Sequence, residues 1–299
     1  MPAATVLIPT HNRPEALRQA ILTVQAQRLQ DFELFVVGDG VGDATRAVVA
    51  EMGAADRRIR FFDFPKGLHH GEVNRHAALG HATGRIVAYH GDDDVWMENH
   101  LETLDALLRN VDFGHTVHIG VKGDGQLYVL PADLANRGFR KRMLTQDFNR
   151  IDFTFGGHTL DAYRRLPHGW APPPPDCPWN DLYVWRQFLA EPWCRAGSAI
   201  VPTCICTHST WRPHLTDRER AAEMERWRGE IARPEFREML WRMTAETFAR
   251  DLIRHEIAAG SVGGLLWSLR RSAQHALRRQ ARSLRRSAKK LFARGTPDN

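Results

Sequence analysis

Arg85-Ile86-Val87-Ala88-Tyr89-His90-Gly91-Asp92-Asp93-Asp94 is the stretch whose reading decides the fold. Arg85 to Tyr89 has the length and apolar run of a buried strand, and it passes without a linker into a glycine and three aspartates. A strand that ends in a polar turn is the usual supplier of ligand-binding groups in an open α/β sheet, where ligands sit beyond the carboxyl ends of the strands.

Working outward, Thr5 to Ile8, Phe32 to Val37 and Ile59 to Phe64 also read as strands. Between them lie helical segments. Asn12-Arg13-Pro14-Glu15 opens a helix that runs to about Ala26, with Pro early and an acid in the first turn. Asp43 is placed to cap a helix from Ala44, and Val73 to Leu79 is helical. This alternation predicts right-handed βαβ units and a mostly parallel sheet flanked by helices. Asp39, after the second strand, and Asp92 to Asp94, after the fourth, are then expected on one edge.

Farther on, Glu102 to Leu108 and Asn180 to Leu189 read as helices, and Ile200 to Thr207 as a strand with Cys204 and Cys206 on one side. Residues 114–165 mix strands and loops without a clear pattern. Pro167 to Pro178, with four consecutive prolines, is neither helix nor central strand. From Thr216 the pattern is almost wholly helical.

With 299 residues, 43% hydrophobic and 25% charged, the chain has material for one large α/β domain and an appendage. The net charge of +6 is unevenly placed. Ten of the 41 Lys+Arg and one of the 35 Asp+Glu fall in residues 270–299, leaving 31 against 34 and a body near −3. The basicity belongs to a tail, which argues against a nucleic-acid-binding body. Leu266, Leu269, Ala273, Leu277, Ala281, Leu284, Ala288 and Leu291 recur there at helical spacing, a basic amphipathic helix suited to an anionic membrane surface or to packing on the body. Four cysteines without zinc-ligand spacing fit a reducing compartment. The N-terminus lacks the pattern of a signal peptide, and no run of about 18 apolar residues occurs. A cytoplasmic protein, peripheral on the cytoplasmic membrane face if the tail binds there, is the expectation.

Four motifs together resemble a known family. Val6-Leu7-Ile8-Pro9-Thr10-His11-Asn12-Arg13-Pro14, Val36-Val37-Gly38-Asp39-Gly40, Asn74, and His90-Gly91-Asp92-Asp93-Asp94-Val95-Trp96-Met97 are similar, in order and spacing, to the signatures of family-2 glycosyltransferases of the GT-A fold. The resemblance covers roughly residues 4–210. It implies a GT-A domain over 1–212, with a nucleotide-sugar half to about 110 and an acceptor half over 111–212. Residues 213–299 would be a helical extension ending in the basic amphipathic helix. It also implies inverting transfer from a nucleotide-sugar, most simply a UDP-sugar, to a hydroxyl of a carbohydrate or glycolipid acceptor, in bacterial-type surface polysaccharide or glycoconjugate synthesis.

The resemblance assigns roles residue by residue. Asp93 would ligate Mn²⁺ or Mg²⁺, with Asp92 near metal or ribose and Asp94 and His208 as further ligands; a diphosphate leaving group calls for a hard cation held by carboxylates. Gly91 stands where the family often has an acid. Pro9, Thr10, Asn12, Asp39, Asn74 and Arg75 would bind the nucleotide-sugar. Asp181, in Trp179-Asn180-Asp181-Leu182-Tyr183-Val184-Trp185-Arg186, would be the general base, with Asn180 where the family has Glu. Plainer readings stand beside these: the acidic triplet and Asp39 as turn residues, Asn12 as a helix cap, Arg75 as a surface charge, Asp181 as a first-turn acid favoured by the helix dipole, His208 as structural. Rival functions are a catalytically degenerate binding protein and a nucleotidyltransferase. The latter would carry a Gly-rich loop after strand one, which Pro9 to Pro14 lacks.

Overall fold

The structure, a computed structural model, describes residues 1–208 and 211–258. Met1–Thr247 forms one compact unit, and the residues from Phe248 belong to a second. The first half alternates β1 (Ala4–Thr10), α1 (Pro14–Gln25), β2 (Phe32–Asp39), α2 (Asp43–Ala55), β3 (Ile59–Phe64), α3 (Glu72–Leu79) and β4 (Ile86–Tyr89). Then follow β5 (Val95–Trp96), α4 (His100–Leu107), β6 (Phe113–Val121), β7 (Leu127–Leu130), α5 (Arg137–Thr145), a single 3₁₀ turn at Phe153–Phe155, β8 (Gly156–Thr159) and α6 (Leu160–Arg164). The described chain ends with α7 (Asn180–Ala190), β9 (Ala196–Cys206), α8 (Asp217–Ala232) and α9 (Pro234–Ala258).

The sheet order is β3-β2-β1-β4-β8-β6-β9-β5, with β7 on β6. Strands β3, β2, β1 and β4 are all parallel. Strand β8 joins β4 and β6 antiparallel, and β6 and β9 run parallel. Strands β1 and β4 are apolar along their centres because both faces are covered: Val6, Leu7, Ile8 and Ile86 to Tyr89 are fully buried. On one face Leu7, Phe35, Val87 and Tyr89 pack with Phe113, Trp170, Trp185 and Phe188. Tyr89 Oη bonds to His158 Nε2 at 2.6 Å and accepts from Trp170 Nε1 at 2.9 Å, which satisfies the polar tips of this aromatic core. Cys204 and Cys206, two apart on β9, are both buried.

Two caps differ from expectation. Asn12 does not cap α1: it takes a left-handed φ of 53°, and its Oδ1 accepts from Gly42 N at 2.6 Å. Helix α1 has Pro14 at its start and no side-chain cap from its own cap residue, Arg13. Its free N–H groups are met instead by Asp217, the first residue of α8, whose carboxylate accepts from Glu15 N at 2.8 Å and Ala16 N at 3.1 Å. Asp43 is the first residue of α2, not its cap, and pairs with Arg46 at 3.0 Å.

Candidate functional site

Because β1, β2 and β4 are parallel, Thr10, Asp39 and the turn after Tyr89 emerge at one edge of the sheet. The turn is anchored from below by His90, which is buried, stacked on Trp96 at 4.4 Å, and bonded through Nε2 to Thr23 Oγ1 at 2.8 Å. Burial depresses its pKa to about 3, so the ring is neutral. Trp96 stacks in turn on His100 at 4.0 Å.

Asp92, Asp93 and Asp94 are all buried. Asp92 Oδ2 accepts from Thr10 Oγ1 at 2.8 Å, and Arg13 Nη1 lies 3.1 Å from Asp92 Oδ1 and 3.0 Å from Asp93 Oδ2. Asp94 Oδ1 accepts from Thr207 N at 3.0 Å, while Thr207 Oγ1 donates to Asp93 O at 2.6 Å. A Cβ at Gly91 would fall 2.4 Å from Asp94 Oδ2, so the glycine is what lets that carboxylate fold back over the turn. Burial raises the Asp92 carboxyl to about 6 against the pull of Arg13, and burial followed by Asp93 and Asp152 raises Asp94. Three desolvated carboxylates in one turn are a donor set of the kind a hard divalent cation takes.

Asp39 is fully engaged. Its Oδ1 accepts from Gly67 N at 2.6 Å and Asn74 Nδ2 at 2.9 Å, and its Oδ2 accepts from Lys66 Nζ. Burial would raise this carboxyl, but Lys66 and Gly67 hold it below the ordinary value. Gly71, at a φ of 71°, passes so close that a Cβ there would lie 2.6 Å from Asp39 Cγ. Asp39 and Asn74, 35 residues apart, thus pin the segment between β3 and α3. Pro9, Thr10, Asp39, Lys66, Arg75 and Asp92 line a cavity of about 400 Å³, from which Asn12 is absent. Arg75 is buried, not a surface charge: Nη2 donates to His70 O at 2.8 Å, the guanidinium lies over Phe153 and Trp170, and Nε has no partner.

His70, Arg75 and Gly91 also border a second cavity of about 640 Å³, so the two are neighbours. This one is lined by Asp93, Asp94, Trp179, Asp181 and His208, among others. Asp181 is the second residue of α7. Its Oδ2 accepts from Asn149 Nδ2 at 3.0 Å and its Oδ1 from Leu182 N at 2.7 Å. Asn180, where the family has Glu, donates from Nδ2 to Glu72 Oε1 at 3.0 Å and so ties α7 to α3. Burial, and next the nearby Asp152, lift the Asp181 carboxyl to about 7. Trp170 packs in the core, whereas Trp179 is exposed at the cavity.

Of the nucleotide and metal candidates, the structure gathers Pro9, Thr10, Asp39, Arg75 and Asp92 around one cavity, and Asp93, Asp94 and His208 with Asp181 around the other. Sequence reasoning missed Arg13 as the partner of the acidic turn, although it stood inside the first motif. It also missed His118, Tyr128, Asn149 and Asp152, which come from the stretch whose periodicity was unreadable.

A family model described as "Glycosyl transferase family 2" matches residues 5–165, more than half of the chain. Among curated proteins, the GalNAc(5)-diNAcBac-PP-undecaprenol beta-1,3-glucosyltransferase of Campylobacter jejuni is 34% identical over 104 residues, 35% of this chain and 34% of that one. The UDP-Glc:alpha-D-GlcNAc-diphosphoundecaprenol beta-1,3-glucosyltransferase WfgD of Escherichia coli is 31% identical over 109 residues, 36% of this chain and 41% of that one. These matches span well under half of each relative. Among solved structures, S. aureus TarS 1-349 superposes with a TM-score of 0.54 at 16% identity, covering 71% of this chain and 62% of that one. The mannosyltransferase PcManGT from Pyrobaculum calidifontis, solved with GDP-Man and Mn2+, gives 0.50 at 18% identity, covering 95% and 83%. The two structures show a shared fold of the GT-A type. The ordered motifs, the sheet and the family match agree: the chain belongs to glycosyl transferase family 2.

Proposed function

We propose that this enzyme transfers a sugar from a UDP-sugar, with inversion at the anomeric carbon, to a hydroxyl of a carbohydrate or glycolipid acceptor in surface polysaccharide or glycoconjugate synthesis. The observation that carries the reading is that Asp181, a carboxyl near neutrality, and Asp93 of the acidic turn border one cavity that shares His70, Arg75 and Gly91 with a second, nucleotide-sized cleft. Asp181 accepts the acceptor hydroxyl proton while the new C1–O bond forms and the bond to the diphosphate breaks on the opposite face. Arg75 borders both cavities, and its cationic guanidinium suits a diphosphate lying between them.

Asp93 is the proposed ligating carboxylate of a Mn²⁺ or Mg²⁺ ion, flanked by Asp92 and Asp94, with His208 as the third-ligand candidate. When bound, the cation neutralises charge developing on the diphosphate. Asp39 and Asn74 act on the nucleotide by holding residues 65–71 in place, and Thr10 by fixing Asp92. A UDP donor and a lipid-linked acceptor are supported by the printed specificity of the Escherichia coli relative; the GDP-Man bound by PcManGT makes GDP-sugars the comparison to run. No helix among the described residues is long and apolar enough to cross a membrane. The proposed seat of the enzyme is the cytoplasmic membrane face, reached through the basic C-terminal segment, which lies outside the described residues.

The test is nucleotide release from UDP- and GDP-sugars with Mn²⁺ present and absent, followed by NMR of the product anomer. Transfer that retains configuration, or that is indifferent to Asp181→Asn, overturns the mechanism. A GDP-sugar preference overturns the donor.

A further inference from the structure

Glu72, the first residue of α3, is fully buried and lines neither cavity. A carboxylate taken out of water is costly unless its oxygens find donors. Both do, and the donors come from different parts of the site. Oε2 accepts from His70 N at 3.2 Å, and Oε1 accepts from Asn180 Nδ2 at 3.0 Å, 108 residues on. His70 borders both cavities, and its carbonyl accepts from Arg75 Nη2 at 2.8 Å. Asn180 is the first residue of α7.

Asn180 passes the link on. Its Oδ1 accepts from Asp181 N at 2.8 Å, one of the first-turn amides that find no partner inside their own helix. A planar amide offers a donor and an acceptor side by side, so it can meet a carboxylate with one atom and an N–H with the other. A carboxylate at position 180 would set a second negative charge against Glu72, which gives a physical reason for Asn where the resemblance leads one to expect Glu. Glu72 also gives the strongest electrostatic support to the charge of the buried Arg75. One carboxylate thus stands between the guanidinium suited to the donor diphosphate and the carboxyl that opens the acceptor side.

We propose that Glu72 is a positioning residue for transfer: through Asn180 its carboxylate fixes where Asp181 stands relative to His70 and Arg75. The inference rests on the proposed role of Asp181 as base.

The experiment is a double-mutant cycle on the full chain with isosteric changes, reading kcat per folded enzyme, with Asp181→Asn run beside it. Glu72→Gln leaves one oxygen for two donors, and Asn180→Asp sets two carboxylates face to face. Each should lower kcat at least about tenfold, as loss of a charge-assisted hydrogen bond allows. The double variant Glu72→Gln/Asn180→Asp reverses the polarity of the bond, with the new amide donating to the new carboxylate, and should return kcat to within about threefold of wild type. The added charge still adjoins Asp181 there, so recovery reports the bond between positions 72 and 180 rather than local charge. A double variant no faster than Asn180→Asp overturns the inference. So does wild-type kcat in both single variants with only the melting temperature lowered, the result a merely structural pair would give. Full turnover in Asp181→Asn removes the base and this inference with it, whereas an inactive Asp181→Asn beside a flat cycle overturns the inference alone.

Discussion

Asn149 donates from Nδ2 to Asp181 Oδ2 at 3.0 Å, so the carboxyl in the first turn of α7 is oriented by a side chain 32 residues earlier in the chain. That bond favours the charged carboxylate, while burial and Asp152 favour the protonated acid, and the carboxyl comes to rest near 7. A general base works deprotonated, so turnover should rise with pH through the pKa of Asp181. Asn149→Ala removes a stabilising donor, raises that pKa and should move the rising limb of kcat/KM to higher pH. A limb that stays put in a folded variant removes Asp181 from the role.

Asp181→Asn should lower turnover by about 10²–10⁴ while donor affinity stays nearly constant. The same change should stabilise the fold at alkaline pH. A carboxyl whose folded pKa is raised costs stability once it must ionise, fully above about 7 and not at all below its unfolded value near 4. Thermal melts at pH 8 should therefore favour the variant, and melts at pH 4 should not distinguish it from wild type.

Asp93→Ala should abolish transfer and metal-dependent UDP binding in a protein that still folds, since Arg13 keeps Asp92 as a partner. Unchanged UDP–Mn²⁺ affinity by calorimetry would remove Asp93 from the metal site.

Gly71→Ala tests the scaffold of the proposed nucleotide cleft. An added Cβ meets Asp39 Cγ at 2.6 Å on a backbone already at φ 71°, so residues 65–71 must shift. A strained residue of this kind costs about 1–3 kcal/mol. Donor KM should rise with little change in kcat, because Asp181 lies in the other cavity; an unaltered KM would detach the segment from donor binding.

The parallel half of the sheet was legible because its signals are local: buried strands read as apolar runs, and Ile86 to Tyr89 runs straight into its acidic turn. The edge shared by Asp39 and Asp92 then followed from topology alone. Partners across the fold were not legible. Nothing near Arg13 shows that it will bridge Asp92 and Asp93, some 80 residues on. His118 and Asp152 sit in strands and loops whose pairing is nonlocal, with β6 bonded to β7, β8 and β9 at once. Asn12 illustrates the opposite error. Its position before Pro14 suits a cap, yet its side chain is drawn away to Gly42.

The basic segment beyond residue 258 carries the membrane prediction. The body near −3 gives no electrostatic reason to bind anionic lipid, whereas each engaged cation of the tail contributes up to about 1 kcal/mol. The full chain should sediment with anionic vesicles in a salt-sensitive manner, and a chain ending at Gly264 should not. The shortened enzyme should still act on a soluble acceptor. Equal sedimentation of both ends the membrane reading.

Asp217 reaches back 201 and 202 residues to close the amino end of α1, directly behind the loop that presents Thr10, His11 and Arg13. The exchangeable cassette for building chimeras within this family is therefore larger than residues 5–165. A graft of that segment alone would expose two amide groups at the start of α1 and loosen the strand-to-helix joint that holds the acidic turn. The first turn of α8 has to travel with it, so a hybrid would inherit the edge of its proposed nucleotide cleft from two distant stretches of one parent.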